Sequence, residues 1–187
     1  MLGNAFVHKN SDLNMIEGKY VNLRALEIED LEIHKKWRND KINRRHTREY
    51  RLLNMINQKE WFEMIHKDNP PKFLMFGVTD KRQKLIGVCG LTYIDWKNRH
   101  CEISIILYLK NWQKTKQGKE TIWLLEKFGF GELNMRRLWV EIFDTIPQNI
   151  KLFESLNFVK EGTLRDKLWR NRKWYDSHIY SKLVTDK

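Results

Sequence analysis

The order of elements between Cys101 and Gly162 constrains the fold more than any other feature of the chain. The segment CEISIILYLKNWQKTKQGKETIWLLEKFGFGELNMRRLWVEIFDTIPQNIKLFESLNFVKEG reads as a strand, a basic glycine-bearing loop, a helix, a strand, a second helix and the start of a third strand. A loop that leaves a strand and opens a helix presents unpaired backbone N–H groups and the positive end of the helix dipole to an anion. Lys114, Lys116, Gly118 and Lys119 crowd that junction.

The flanks extend the same pattern. Lys19 to Leu26 alternates like a strand, and Ile28 to Trp37 places Ile28, Leu31, His34 and Trp37 at helical spacing after an acidic first turn. Asn57 to His66 reads as a second helix, stopped by Asn69-Pro70-Pro71. Strands are expected at Phe73 to Val78, Leu85 to Ile94 and Arg99 to Leu109. A helix from Gly118 to Phe130, a strand Leu138 to Phe143 and a helix from Pro147 to Leu156 follow, with final strands at Phe158 to Leu164 and Trp174 to Leu183. Pro147 suits a first helical turn, where its missing N–H would be unpaired anyway. The pattern is that of an α/β domain with a mostly antiparallel sheet and helices on both faces.

Length and composition set the remaining bounds. Residues 15–187 are enough for one domain with a real core, and residues 1–14, MLGNAFVHKNSDLN, read as an extension without the pattern of a signal peptide. No window reaches the roughly 20 apolar residues of a membrane span. The net charge of +11 implies attraction to polyanions: nucleic acid, an anionic surface or a phosphorylated small molecule. Most basic residues are expected to be solvated surface. Cys89 and Cys101 both sit in apolar runs, which speaks against a disulfide framework and for the cytoplasm. The histidines and cysteines show no metal-ligand spacing.

Four segments carry a family resemblance: GKYVNLRALEIEDLE with WRN at Trp37 to Asn39; LIGVCGL then HCEISIIL; the basic loop and helix ending in LNMRRLWVEIF; and IPQNIKLFESLNFVKEGTLRD with NRKWYDSHIYSKL. Together they span nearly the whole chain from Met15. The sequence resembles the GCN5-related N-acetyltransferase (GNAT) superfamily, in the branch of ribosomal-protein and spermidine acetyltransferases, and is similar to amino-sugar nucleotide N-acetyltransferases. The resemblance implies a mixed, mostly antiparallel twisted sheet of about seven strands. Two of these, Arg99 to Leu109 and Leu138 to Phe143, would splay into a V that holds acetyl-CoA as co-substrate, with no metal. Leu107 and Leu109 would then offer main-chain contacts, one N–H polarising the thioester carbonyl.

The same resemblance assigns the loop to the pyrophosphate, through Gln113, Lys114 and Lys116, or in a second alignment Gln117, Gly118 and Lys119. Neither frame carries the family's usual pair of small residues. Asn149, one turn into its helix, is a further cofactor candidate.

Strand alternation puts Glu102, Ser104, Ile106 and Tyr108 on one face and Cys101, Ile103, Ile105, Leu107 and Leu109 on the other. A carboxylate in an apolar strand is costly unless satisfied. By resemblance Glu102 is the general base for the incoming amine; alternatively it pairs with an arginine and only orders the strand. Phe153 stands where many relatives have a proton-donating tyrosine, so either no acid is required, a thiol being a tolerable leaving group, or Tyr108 or Tyr93 substitutes. Trp37, Arg38, Asn39 and Tyr93 are the acceptor-binding candidates, with Trp37 equally readable as core. The stretch Asn43 to Arg48 would suit a nucleotide diphosphate.

The expected function is transfer of acetyl to a primary amine, an amino sugar on a nucleotide being favoured and a protein N-terminus allowed. A degenerate relative binding RNA or a protein through its basic surface is the alternative. A monomer or homodimer is expected.

Overall fold

The computed structural model describes residues 15–186, so the extension expected over residues 1–14 lies outside the described residues. Strand β1 (Met15–Glu17) and β2 (Val21–Ala25) lead through a 3-10 turn into α1 (Leu31–Asn39), followed by α2 (Lys41–Arg45) and α3 (Met55–His66). Then come β3 (Leu74–Asp80), β4 (Leu85–Asp95), β5 (His100–Leu107), α4 (Lys116–Glu126), β6 (Arg137–Phe143), α5 (Pro147–Glu154), β7 (Val159–Arg170) and β8 (Lys173–Leu183). The described strands form one sheet of eight in the order β1-β2-β3-β4-β5-β6-β8-β7. The expected count falls one short because Met15–Glu17 is too brief to show alternation.

Every neighbouring pair is antiparallel except β5 and β6. Those two run parallel, and only His100 to Glu102 pairs with Arg137 to Trp139. Beyond that point β5 continues along β4 as far as Leu107 opposite Gly87, and β6 continues along β8 as far as Phe143 opposite Ser177. The facing edges therefore part, and their backbone groups there have no ladder partner between them.

The alternation of β5 falls as the sequence predicts. Cys101, Ile103 and Leu107 are buried in the main core with Ile122, Leu124 and Leu125 of α4, and Ile105 and Leu109 pack against it. On the opposite face Trp37 of α1 joins Leu26 and Val88, with Trp61 and Phe62 of α3 packed alongside. Helices thus cover both faces, and Glu102 belongs to the α1–α3 side.

Helix boundaries follow capping chemistry. Helix α4 starts at Lys116, two residues before the expected Gly118, because the Thr115 hydroxyl accepts the Gly118 N–H at 3.0 Å. Helix α3 likewise starts at Met55, where Asn54 and Asn57 cap each other's backbone reciprocally. Strand β5 stops at Leu107 because the Leu109 carbonyl accepts from Trp112 N–H at 3.3 Å, and Asn111 turns the chain at φ 52°.

Candidate active site

The parting of β5 and β6 creates a trough. Two adjoining cavities of about 360 and 530 Å³ share His46, Thr47, Ile105, Ile106, Ile146 and Asn149 as wall. The first reaches Glu102, Glu141, Arg48, Arg38 and His34. The second runs along Leu107 to Gln113.

Glu102 lies on the floor, 4% exposed, at the last position where β5 pairs with β6. Both its oxygens receive Arg48: Nη2 donates to Oε1 at 2.5 Å and Nη1 to Oε2 at 3.1 Å. The same guanidinium donates to Glu141 Oε2 from Nε at 3.0 Å and from Nη2 at 2.5 Å. The Ser177 hydroxyl donates to Glu141 Oε1 at 2.7 Å, and Thr92 reaches Glu102 at 3.4 Å. Two buried carboxylates thus share one guanidinium, leaving the cluster one negative charge in excess. Burial pushes the Glu141 carboxyl up, but the hydrogen bonds from Ser177 and Arg48 outweigh it and hold it below the usual range.

The groove edge offers main-chain donors. The Tyr108 N–H donates to the Ile86 carbonyl on β4 at 2.8 Å. Successive amides alternate in direction, so the Leu107 N–H points away from β4, into the trough. Leu109, past the end of the strand, lines the same cavity, but its carbonyl is engaged by Trp112.

The two frames for the basic loop fall on different elements. Gln113 and Lys114 lie in the turn before α4, while Gln117, Gly118 and Lys119 lie inside its first turn. Gln113 lines the trough and donates from Nε2 to Asn149 Oδ1 at 2.8 Å, which links the loop to α5 across the groove. Gly118 has a packing role: a Cβ there would stand 2.2 Å from the Trp112 carbonyl oxygen, so the glycine lets the loop pack on the helix. Lys116 reaches over the Tyr20 ring, its Nζ 5.3 Å from the centroid. Lys114, Lys116, Gln117, Gly118 and Lys119 are not among the residues lining the two cavities.

On the acceptor side Arg38 and His34, one helical turn apart on α1, line the first cavity. Arg38 Nε and His34 Nδ1 are buried without a hydrogen-bond partner. Burial lowers the Arg38 pKa and pushes His34 down to about 3, so the imidazole is neutral. Trp37 and Asn39 are corrections. Trp37 is 5% exposed in the core behind the cavity, and the Asn39 amide clamps the backbone of Leu53, donating at 2.7 Å and accepting at 2.8 Å. Tyr93 lines the cavity at a left-handed φ of 50°, edge-on to Phe73. Tyr108 lines the second cavity, half exposed and stacked on Trp37 at 5.4 Å. Phe153 is fully buried against Phe158.

A domain model described as "Acetyltransferase (GNAT) domain" matches residues 23–179. The chain belongs to the GNAT acetyltransferase family. Curated relatives agree with the GNAT assignment: the uncharacterised N-acetyltransferase p20 of Bacillus licheniformis is 26% identical over 167 residues, covering 87% of this chain and 92% of its own length. The spermidine N(1)-acetyltransferase of Vibrio cholerae is 25% identical over 156 residues, covering 83% of this chain and 88% of that protein. The crystal structure of spermidine N-acetyltransferase from Vibrio cholerae in complex with CoA and spermine shares the GNAT fold, with a TM-score of 0.81 over 90% of this chain and 98% of that one at 23% identity. The chain is therefore an N-acetyltransferase with acetyl-CoA as co-substrate and an amine as acceptor. No helix among the described residues is long and apolar enough to cross a membrane.

Sequence reasoning missed Glu141 and the role of Arg48. Glu141 gives the same signal as Glu102, a lone carboxylate in an apolar strand, LWVEIF. In the sequence Arg48 belongs to a stretch, Asn43 to Arg48, that would suit a nucleotide diphosphate. The structure turns its side chain onto carboxylates, and Asn43 donates to the Trp37 carbonyl at 3.2 Å.

Proposed function

We propose that this chain acetylates a small primary amine that enters from the α1–α3 side and reacts above Glu102. The observation that supports this most is the position of a buried carboxylate at the point where β5 and β6 part, on the same strand whose open edge presents the inward-facing Leu107 N–H. The open β5 edge and the first turn of α4, capped by Thr115, suit the amides and the pyrophosphate of CoA. Gln113 and Asn149 close that end, and the nearby lysines add charge complementarity. Acetyl-CoA supplies an acetyl group activated as a thioester.

The chain does the rest. An ammonium with an ordinary pKa near 10.4 has no lone pair at neutral pH, so a proton must first leave the acceptor nitrogen. A Glu102 oxygen takes that proton through intervening water, which spans the length of β5 between the two groups, and the Leu107 N–H donates to the carbonyl oxygen as the new C–N bond forms and the C–S bond breaks. The departing sulfur takes up a proton; Tyr108 is the candidate donor lining the second cavity, since Phe153 has none to give, and the second proton lost by the nitrogen restores it. Neither cysteine fits a covalent route, because burial raises both thiols, Cys101 to about 12.

The acceptor that suits the wall is a small amine with a polar or anionic remainder, an amino sugar included, placed against Arg38 and His34. A nucleotide-linked sugar loses ground because Arg48 and Asn43 are already bonded within the chain. A polyamine is the second reading, favoured by Glu49, Glu102 and Glu141 on one cavity wall. The test is release of free thiol from acetyl-CoA against a panel of amino sugars, amino acids and polyamines. Absence of thiol release with every amine, despite a CoA-induced rise in melting temperature, would overturn the reading.

A further inference from the structure

The proton-accepting role given to Glu102 meets an obstacle in the structure itself, since both its oxygens are covered by Arg48. The obstacle has a definite form. Arg48 sits on the segment between α2 and α3, and its backbone is fixed from behind: Arg170 Nη2 donates to the carbonyls of Thr47, Arg48 and Glu49 at 2.8, 3.3 and 3.4 Å. The Asn39 clamp on Leu53 fixes the far end of the same segment. The Arg48 side chain is 46% exposed, whereas its partners Glu102 and Glu141 are 5% and 6% exposed. The carboxylates are thus rigid and buried, while the guanidinium reaches them from the trough and has solvent to swing into.

A guanidinium and a primary ammonium offer a carboxylate the same two things, a positive charge and N–H donors. We propose that Arg48 is the specificity-determining residue of this site. Its guanidinium fills the place of the acceptor's ammonium, and an acceptor binds by displacing it from Glu102 while it keeps Glu141. The inference rests on the acetyl-transfer reading for its part in turnover. A singly charged amine supplies a cation to Glu102 while Arg48 keeps Glu141, and so cancels the one negative charge in excess. A diamine brings a second cation towards the displaced guanidinium, and like charges at close range disfavour it. Arg48 therefore selects singly charged amines at a site whose buried acidic pair would otherwise suit a dication. Arg38 on the same wall acts in the same sense.

The test is a calorimetric titration of propylamine and of 1,3-diaminopropane into the wild-type protein and Arg48→Gln, without acetyl-CoA. Arg48→Gln is expected to bind the diamine about tenfold tighter than wild type, with a smaller change for propylamine. Unchanged or weaker diamine binding in the variant overturns the proposal, as does failure of either amine to bind either protein. A retained CoA-induced thermal shift shows that the variant is folded. Should it not fold, the wild type carries the test: saturating propylamine is expected to move the guanidinium nitrogen resonances of Arg48, and an unmoved set overturns the proposal. Because no arm needs turnover, absent thiol release alongside normal amine binding would remove the acetyl-transfer reading and leave this one standing.

Discussion

Gly118→Ala separates a packing role from a phosphate-binding role at the mouth of the cofactor site. An added methyl group would stand 2.2 Å from the Trp112 carbonyl oxygen and 2.9 Å from Trp112 Cε3. The first of these is backbone, so relief requires the turn Trp112–Lys114 to move away from α4 by roughly 1 Å to restore ordinary contact. Overpacking of this kind costs about 1–3 kcal/mol, and contact with backbone places it towards the upper end. Alanine regains up to about 1 kcal/mol of helix propensity, and less in the first turn. The net expectation is a loss of about 1–2 kcal/mol, read as a fall in melting temperature of about 2–8 °C for a chain of this size. The same displacement moves Gln113 away from Asn149 and opens the loop, so KM for acetyl-CoA rises. Differential scanning fluorimetry with and without CoA, together with acetyl-CoA kinetics, reads both effects. If Gly118 served only to admit phosphate, the variant would lose CoA affinity while its own melting temperature stayed level or rose, and that result would refute the packing argument.

Other perturbations test separate parts of the site. Glu102→Gln is expected to slow turnover by about 10²–10⁴-fold while the CoA-induced thermal shift persists; an unchanged kcat would leave Glu102 with a purely structural role. His34 has a folded pKa of about 3, below its ordinary 6.5, so between these values the unfolded chain holds the extra proton and stability is lost as pH falls. Near pH 5.5 the loss is about 1.4 kcal/mol relative to neutral pH, and His34→Gln should flatten that limb of a melting-temperature titration. Ionic strength should act oppositely on the two substrates. With a net charge of +11, kcat/KM for acetyl-CoA is expected to fall as salt rises, whereas kcat/KM for a cationic amine rises; parallel changes would contradict the assignment of charge to the site.

What could be read from the chain was local. The face of β5 was legible because Cys101, Ile103, Ile105, Leu107 and Leu109 alternate without interruption, and all five lie in or against the main core. Thr115 was harder to read, since a threonine among lysines becomes a cap only once its hydroxyl meets the Gly118 amide. Arg48 was out of reach for a different reason: its carboxylate on β5 lies 54 residues away, and no periodicity reports a partner at that distance. Trp37 and Asn39 formed a motif that looked like a pocket. Whether such side chains face a cavity or the core behind it depends on how α1 is rotated on the sheet, which burial of Trp37 decides.

The ion cluster and the open groove depend on one another. Had the β5–β6 register continued past Glu102 and Trp139, Ser104 would stand opposite Glu141, and the two strand edges would seal. Glu141 would then be a diagonal neighbour of Glu102 with no room for a guanidinium between them, and two buried carboxylates on adjacent strands would repel. Parting the strands admits Arg48, which settles the charge. It leaves the edge N–H and C=O groups of Ile103 to Leu107 and Val140 to Phe143 without a partner strand, and such groups need partners when water is excluded. The bound amides of the CoA arm can supply them, so closing the groove around the co-substrate and ordering its two walls are a single event. Affinity for that arm then comes mainly from main chain, whereas the acceptor is chosen by side chains, Arg48 foremost among them.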